Sequence, residues 1–236
     1  MPTLSYPERR GEIEDYFDRT AVDAWKALTS DAPVSGIRAT VRAGRDRMRT
    51  RLSTWLPDDL AGQRILDAGC GTGALALELA ARGADVVAVD LSPSLVDLAA
   101  ERAEGIALRG SVRFLSGDML DPLHGDFDHV VAMDSLIHYE SEDAIAVLSG
   151  LAARTRRSIA FTFAPSSPLL ELMHAVGRLF PRNDRAPSIV PVRGAKLAAL
   201  IDAAEPFADW SWESNERVHS GFYTSEAVYL RREASA

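Results

Sequence analysis

Apolar positions divide the chain into a helical front, an alternating middle and an end of a third kind. Over residues 8–28, Ile13, Tyr16 and Phe17 recur at helical spacing, and over 34–56 so do Ile37, Val41, Met48, Leu52 and Trp55. That is the period of a helix with one buried face. The segment "SDAP" separates these two helices, and "PDDLAGQ" closes the second with turn residues. Short β-rich runs follow, "RILDAG", "DVVAVDLS", "VRFLSGD", "DHVVAMDS" and "SIAFTFAP", alternating with helical stretches at 74–82, 94–104 and 142–154. Such a rhythm predicts repeated βαβ units and a parallel sheet covered on both faces. The end reads as two successive strands, "FADWSWESNERVHSG" and "FYTSEAVYLRR", an antiparallel pair at the sheet edge. Residues 166–193 fit neither rhythm. An apolar helix, "LLELMHAVGRLF", runs into the Pro- and Arg-rich "PRNDRAPSIVPVR", too long for a plain connection.

Composition narrows the class without changing this layout. With 236 residues, 47% of them hydrophobic, the chain can bury a large core as one domain with an appendage. The net charge of −8 and the scattered arginines carry no nucleic-acid footprint. A single cysteine, Cys70, excludes an internal disulfide and a cysteine metal cluster, and the histidines lack metal-ligand spacing, so no protein-bound metal is expected. The charged start "MPTLSYPERRGEIEDYF" lacks an apolar signal core, and no run approaches the roughly 20 apolar residues of a membrane span. The expected location is the cytoplasm.

Candidate chemistry begins at "ILDAGCGTGA", a glycine turn between an apolar strand and a helix. Gly69, Gly71 and Ala74 satisfy the loose dinucleotide pattern, which alone is weak. Asp67 discriminates: a carboxylate there opposes a pyrophosphate and suits a cofactor carrying an ammonium and a sulfonium, as S-adenosylmethionine does. Asp90 ends the second strand beside Leu91, where it can accept from ribose hydroxyls, and Asp118 in "SGDML" can accept from an adenine amino group with Met119 beside the ring. The plainer reading is that Asp90 and Asp118 cap turns or helices. Three acids at three successive strand ends, the first within D-x-G-x-G-x-G through Gly73, resemble the class I S-adenosylmethionine-dependent methyltransferases. This resemblance implies a Rossmann-like α/β fold with a seven-stranded, mostly parallel sheet and an antiparallel C-terminal strand. The fourth strand ends in "AMDSLIHYESEDA", placing Met133 to Tyr139 at the carboxyl edge of the sheet, where ligands of such folds bind. His138 is the polar candidate there and Tyr139 its neighbour; a capping histidine and a packing tyrosine are the alternatives.

A narrower resemblance spans nearly the whole chain. "EDYFDRTAVDAW", "VRAGRDRM", "GDMLDPLHGDFDHVVAMDSLIHY", "FTFAP", "MHAVGRLFPRNDRAPSIVPV" and "SGFYTSEAVYLR" together resemble the magnesium-protoporphyrin O-methyltransferases of bacteriochlorophyll synthesis. The family implies methyl transfer from S-adenosylmethionine to a propionate of magnesium-protoporphyrin IX, giving the monomethyl ester and S-adenosylhomocysteine; the alternatives are a methyltransferase acting on another small-molecule acid, amine or quinol, and a non-catalytic cofactor-binding subunit. It also implies peripheral contact with the inner or photosynthetic membrane and cooperation with the porphyrin-binding subunit of magnesium chelatase. In that light residues 1–57 read as a helical arm over a cofactor domain at 58–236. Tyr16, Phe17 and Trp25 face the macrocycle or only glue the helix down; Arg42 and Arg45 reach the cofactor's carboxylate or remain solvated. The insert 166–193 becomes a second wall, with Met173 as apolar surface and Arg178, Arg182 and Arg185 for the propionate that is not methylated, or as solvated charges on a lid. His174, alone on that helix, reads as structural rather than as a ligand for the substrate's magnesium. A tyrosine expected near Thr29 from the oxygen-evolving branch is absent, so its role is not carried over.

Overall fold

The computed structural model describes residues 10, 11, 13, 14, 16, 18, 36–166 and 189–233. The arm over 8–28, with Phe17 and Trp25, lies largely outside the described residues, as do Thr29 and most of the insert, including Met173, His174, Arg178, Arg182 and Arg185.

Helix α1 (Gly36–Thr54) is the second of the two front helices. Strands β1 (Arg64–Ala68), β2 (Asp85–Asp90), β3 (Ser111–Ser116), β4 (Phe127–Ala132) and β5 (Thr155–Phe163) follow. Between them lie α2 (Ala74–Ala81), α3 (Pro93–Ala103) and α4 (Ser141–Ala152). Helix α5 (Gly194–Ala203) and strands β6 (Trp210–Ser220) and β7 (Tyr223–Arg232) complete the order. The seven strands form one sheet, β3-β2-β1-β4-β5-β7-β6, in which only β7 runs against its neighbours. The parallel βαβ layout and the terminal hairpin are as the sequence predicts. Helix α5 is not foreseen there: it forms because Leu197 and Ile201, one turn apart, bury against the sheet.

Alternation along the strands sorts the core into two layers. Leu66, Ala68, Val130 and Ala132 face α4 and α5, whereas Ile65, Val86, Val131 and Ala160 face α1 and α2. Met48 and Leu52, both fully buried, join α1 to the second layer. Its seat depends on Gly44, where a Cβ would come within 2.5 Å of Cδ1 and 2.9 Å of Cβ of Tyr223 on β7. A larger residue there lifts the helix off the sheet, because the clash reaches the root of the tyrosine and not only its mobile tip. Parallel strands β1 and β4 are neighbours at the centre of the sheet, and from that point the chain winds outward in opposite directions. Open α/β sheets bind ligands at the carboxyl ends of such a pair.

Candidate active site

At that place β1 enters the glycine turn. Gly69, Gly71 and Gly73 have φ of 84°, 52° and 80°, a left-handed backbone that side chains other than glycine adopt at a cost. The N–H groups of Gly69 and Cys70 donate to the Val89 carbonyl at 2.8 and 3.0 Å, which binds the turn to β2. Asp90, ending β2, accepts from the Gly71 N–H at 2.7 Å and the Ser92 N–H at 3.0 Å. It therefore holds the turn, as the plainer reading had it, and also lines the cavity above.

The cavity has a volume of about 390 Å³, within the range of small-molecule sites. Asp67, Gly69, Gly71 and Asp90 form its floor on one side, Met133 to Ser135 with His138 and Tyr139 the other, and Leu91 and Met119 an apolar part of the rim. Asp67 is 1% exposed, and its Oδ2 has no hydrogen-bond partner among the described residues. Burial pushes its carboxyl up to about 7, the charge of Asp90 adds to this, and the Ala76 N–H at the start of α2 partly offsets both. Burial likewise raises Asp90, against the pull of the N–H groups of Ser92, Gly71 and Leu91, and it raises the Cys70 thiol as well. The free site thus holds more acid than it can comfortably ionise, which a bound cation would relieve.

His138 and Tyr139, both buried, are carried by the one-turn 3₁₀ segment Leu136–His138 and the residue after it. The chain reaches them by a sharp turn at Asp134, whose φ of 55° is the one positive value at a non-glycine among the described residues. Its carboxylate fixes that turn. Asp134 accepts from Arg45 Nη1 at 2.6 Å, from the Tyr223 hydroxyl at 3.1 and 3.2 Å, from Thr162 Oγ1 at 3.2 Å and from Ser225 Oγ at 3.3 Å. The Asp134 N–H donates to Thr162 Oγ1 at 2.7 Å. Burial, reinforced by the Asp134 charge, raises the Tyr223 phenol. Asp134 and Ser135 are not singled out by the sequence pattern, although an acid two residues past a strand's carboxyl end is the signal that picks out Asp118.

Several expected site residues are placed differently. Asp118 does not line the cavity: it pairs with Arg10 Nη1 at 2.7 Å and accepts from the Leu120 N–H, while Gly117 and Met119 face inward. Gly73 lies behind the turn, where a Cβ would meet Phe114 and Ala99, so it serves the start of α2. Arg45 does line the cavity, but its charge is closed onto Asp134. Arg42 lines it too. Tyr16 is half-buried and does not line this cavity. From the arm, Ile13 reaches the cavity wall, and Asp18 accepts from Ser92 Oγ at 3.2 Å and the Ser94 N–H at 3.1 Å on the far rim. The two ends of the insert meet in a bridge between Pro165 and Val192, and the Val190 N–H donates to the Ile137 carbonyl at 2.8 Å. Among the described residues no group of acids, histidines and cysteine is arranged to hold a metal.

Residues 132–232 match the family model for the magnesium-protoporphyrin IX methyltransferase C-terminus, and 65–158 match a methyltransferase domain. Over 232 residues the chain is 49% identical to the magnesium-protoporphyrin O-methyltransferase of Rhodobacter capsulatus, covering 98% of this chain and 100% of that one. The Synechocystis protein of the same name is 34% identical over 171 residues, 72% of this chain and 74% of its own. The crystal structure of magnesium protoporphyrin IX methyltransferase from Synechocystis with bound S-adenosylhomocysteine is 28% identical, with a TM-score of 0.79, covering 94% of this chain and 98% of that one. Related over its whole length to the Rhodobacter protein, and sharing the fold of a structure solved with its cofactor product, the chain belongs to the magnesium-protoporphyrin O-methyltransferase family.

Proposed function

We propose that the cavity over the glycine turn takes S-adenosylmethionine and that the chain directs methyl transfer to a propionate of magnesium-protoporphyrin IX, giving the monomethyl ester and S-adenosylhomocysteine. The observation that carries this reading is Asp67, a buried carboxylate with an unsatisfied oxygen against a glycine turn. It invites an ammonium and repels a pyrophosphate. The other residues fit the same group. Each oxygen of Asp90 can accept more than one donor, so its two backbone bonds leave capacity for ribose hydroxyls, and Leu91, Met119 and Met133 offer apolar surface for the adenosine.

When bound, S-adenosylmethionine supplies an electrophilic methyl group on a sulfonium. The rest falls to the chain. A propionate has an ordinary carboxyl pKa and is already an anionic nucleophile near neutral pH, so no strong base is needed. His138 and Tyr139 hold the carboxylate in line, an effect that as a class contributes about 7–11 kcal/mol. Their burial also keeps water away. Because the attack neutralises a carboxylate and a sulfonium, a dry site that does not favour the separated charges assists it.

In this reading residues 1–57 cap the site, with Tyr16 and Trp25 toward the macrocycle; the contacts of Arg10, Ile13 and Asp18 with the rim support that role. The insert 166–193 is the second wall, where Met173 offers apolar surface and Arg178 and Arg182 pair with the untouched propionate. The return of the insert beside His138 favours it. The porphyrin-binding subunit of magnesium chelatase hands over the substrate, and contact with a membrane is peripheral. No helix among the described residues is long and apolar enough to cross one. Ile37 and Phe222, exposed on either side of the approach of Thr40 to Gly221, suit a membrane surface.

The test is incubation with methyl-labelled S-adenosylmethionine and either magnesium-protoporphyrin IX or the metal-free porphyrin, with products identified by mass. Label in a monoester of the magnesium form is expected. Transfer to neither, with cofactor still bound, would overturn the acceptor and keep the cofactor.

A further inference from the structure

Among the polar atoms of the cavity lining that are buried with no hydrogen-bond partner among the described residues are Asp67 Oδ2 and Ser135 Oγ. Leaving either group unsatisfied is costly, and here both lie near one glycine. Asp67 lies two residues before Gly69, and a Cβ on Gly69 would collide with that of Ser135. The left-handed backbone at Asp134 precedes Ser135, and the serine hydroxyl lies 3.1 Å from where a Cβ on Gly69 would stand.

An acceptor and a donor gathered at one glycine match the two ends of an α-amino acid. Asp67 accepts from an ammonium, whereas a hydroxyl can donate to a carboxylate. Of the two arginines expected to meet that carboxylate, Arg45 is held 2.6 Å from Asp134, which is itself fixed by donors from β5 and β7, and Arg42 also lines the cavity. Resting on the reading of this cavity as the S-adenosylmethionine site, we infer that Ser135 donates its hydroxyl proton in a hydrogen bond to the α-carboxylate of the cofactor, opposite the ammonium held by Asp67. Ser135 is then a cofactor-positioning residue, and Arg45 belongs to the scaffold that presents it.

The experiment measures calorimetric binding, without acceptor, of S-adenosylhomocysteine and of its decarboxylated analogue to the wild type and to Ser135→Ala. The variant is expected to bind S-adenosylhomocysteine about tenfold more weakly, the worth of one hydrogen bond to a charged group, and to bind the analogue as the wild type does. Equal weakening of both ligands, or of neither, overturns the assignment. Failure of the wild type to bind S-adenosylhomocysteine overturns instead the reading of the cavity. The ligand-free variant should unfold at no lower temperature than the wild type, because it loses only an unsatisfied hydroxyl; a clear drop would mean an internal partner and would also overturn the assignment.

Discussion

β4 brings a buried histidine to each end of the sheet, and the two are buried for opposite reasons. His129, near the amino end, is 3% exposed, and its Nδ1 lies 2.6 Å from Ser158 Oγ on β5. His138, just past the carboxyl end, is 7% exposed and lines the cavity. Around His129 the charged groups satisfy one another: Asp128 accepts from the Arg64 N–H at 2.9 Å and lies 3.7 Å from Arg157 Nε. Around His138 they do not, since Asp67 and Ser135 each keep an unsatisfied atom. Residue type and burial are thus nearly the same at both ends. What separates the two ends is that the unsatisfied atoms beside His138 line a cavity, whereas His129, whose Nε2 also lacks a hydrogen-bond partner among the described residues, does not line it.

The largest expected effect sharpens the closed end. Burial, then the Arg157 charge, against the opposing Asp128 charge, pushes His129 down from 6.5 to about 4. The folded state therefore prefers the neutral ring. Its contribution is complete above pH 6.5 and is lost as pH falls toward 4, by about 3 kcal/mol or roughly a hundredfold in the folding equilibrium. Denaturant unfolding at pH 7.5 and pH 4 should show this component in the wild type, and His129→Leu should lack it while still binding S-adenosylhomocysteine normally. Weakened binding by that variant would break the comparison, because it would carry the function to both ends of the strand.

At the open end, on the neighbouring strand, Asp67→Asn should cost about thirtyfold in affinity for S-adenosylhomocysteine, the lower range for removing one partner of a buried charge pair. The free protein should respond the other way. With its carboxyl raised to about 7, Asp67 destabilises the fold increasingly as pH rises from 3.8 through 7, so the asparagine variant should melt higher at pH 8 and no higher below pH 4. The same shift makes binding proton-linked. Between pH 5 and 7 the wild type must release a proton to accept an ammonium, and its affinity should rise about tenfold per pH unit. A flat wild-type profile would show that Asp67 is already ionised in the free site and does not wait for a cation.

How far these differences were legible beforehand depended on the distance between partners. The βαβ rhythm and the acids Asp67 and Asp90 could be read because period and strand ends are local properties. Asp118 looked equivalent to them, yet its carboxylate is drawn to Arg10, 108 positions away, a pairing that no local pattern records. Asp134 lies within the motif at the end of β4, and its role is hidden for the same reason. Its donors come from α1, β5 and β7, up to 91 positions distant, so its role exists only once the sheet has assembled. Gly73 shared a motif with Gly69 and Gly71, but the spacing could not say that its neighbours would be Phe114 and Ala99 and not a ligand. His129 on β4 and His138 just past it are the clearest case. Nothing local told that Ser158 would lie opposite one of them and a cavity before the other.

The smallest effect tests the open end most directly. His138→Asn keeps a polar group able to hold a carboxylate less well, so kcat should fall about tenfold, while binding of S-adenosylhomocysteine and the melting temperature stay near the wild type. Because the propionate is ionised without help, the pH dependence of kcat should keep its shape in the variant. A fall of a thousandfold or more, with loss of the acid limb of that profile, would instead make His138 a general base and overturn its assignment to orientation alone. Unchanged turnover would place it with His129, as a second histidine that the fold buries for its own packing, and leave Tyr139 to orient the acceptor.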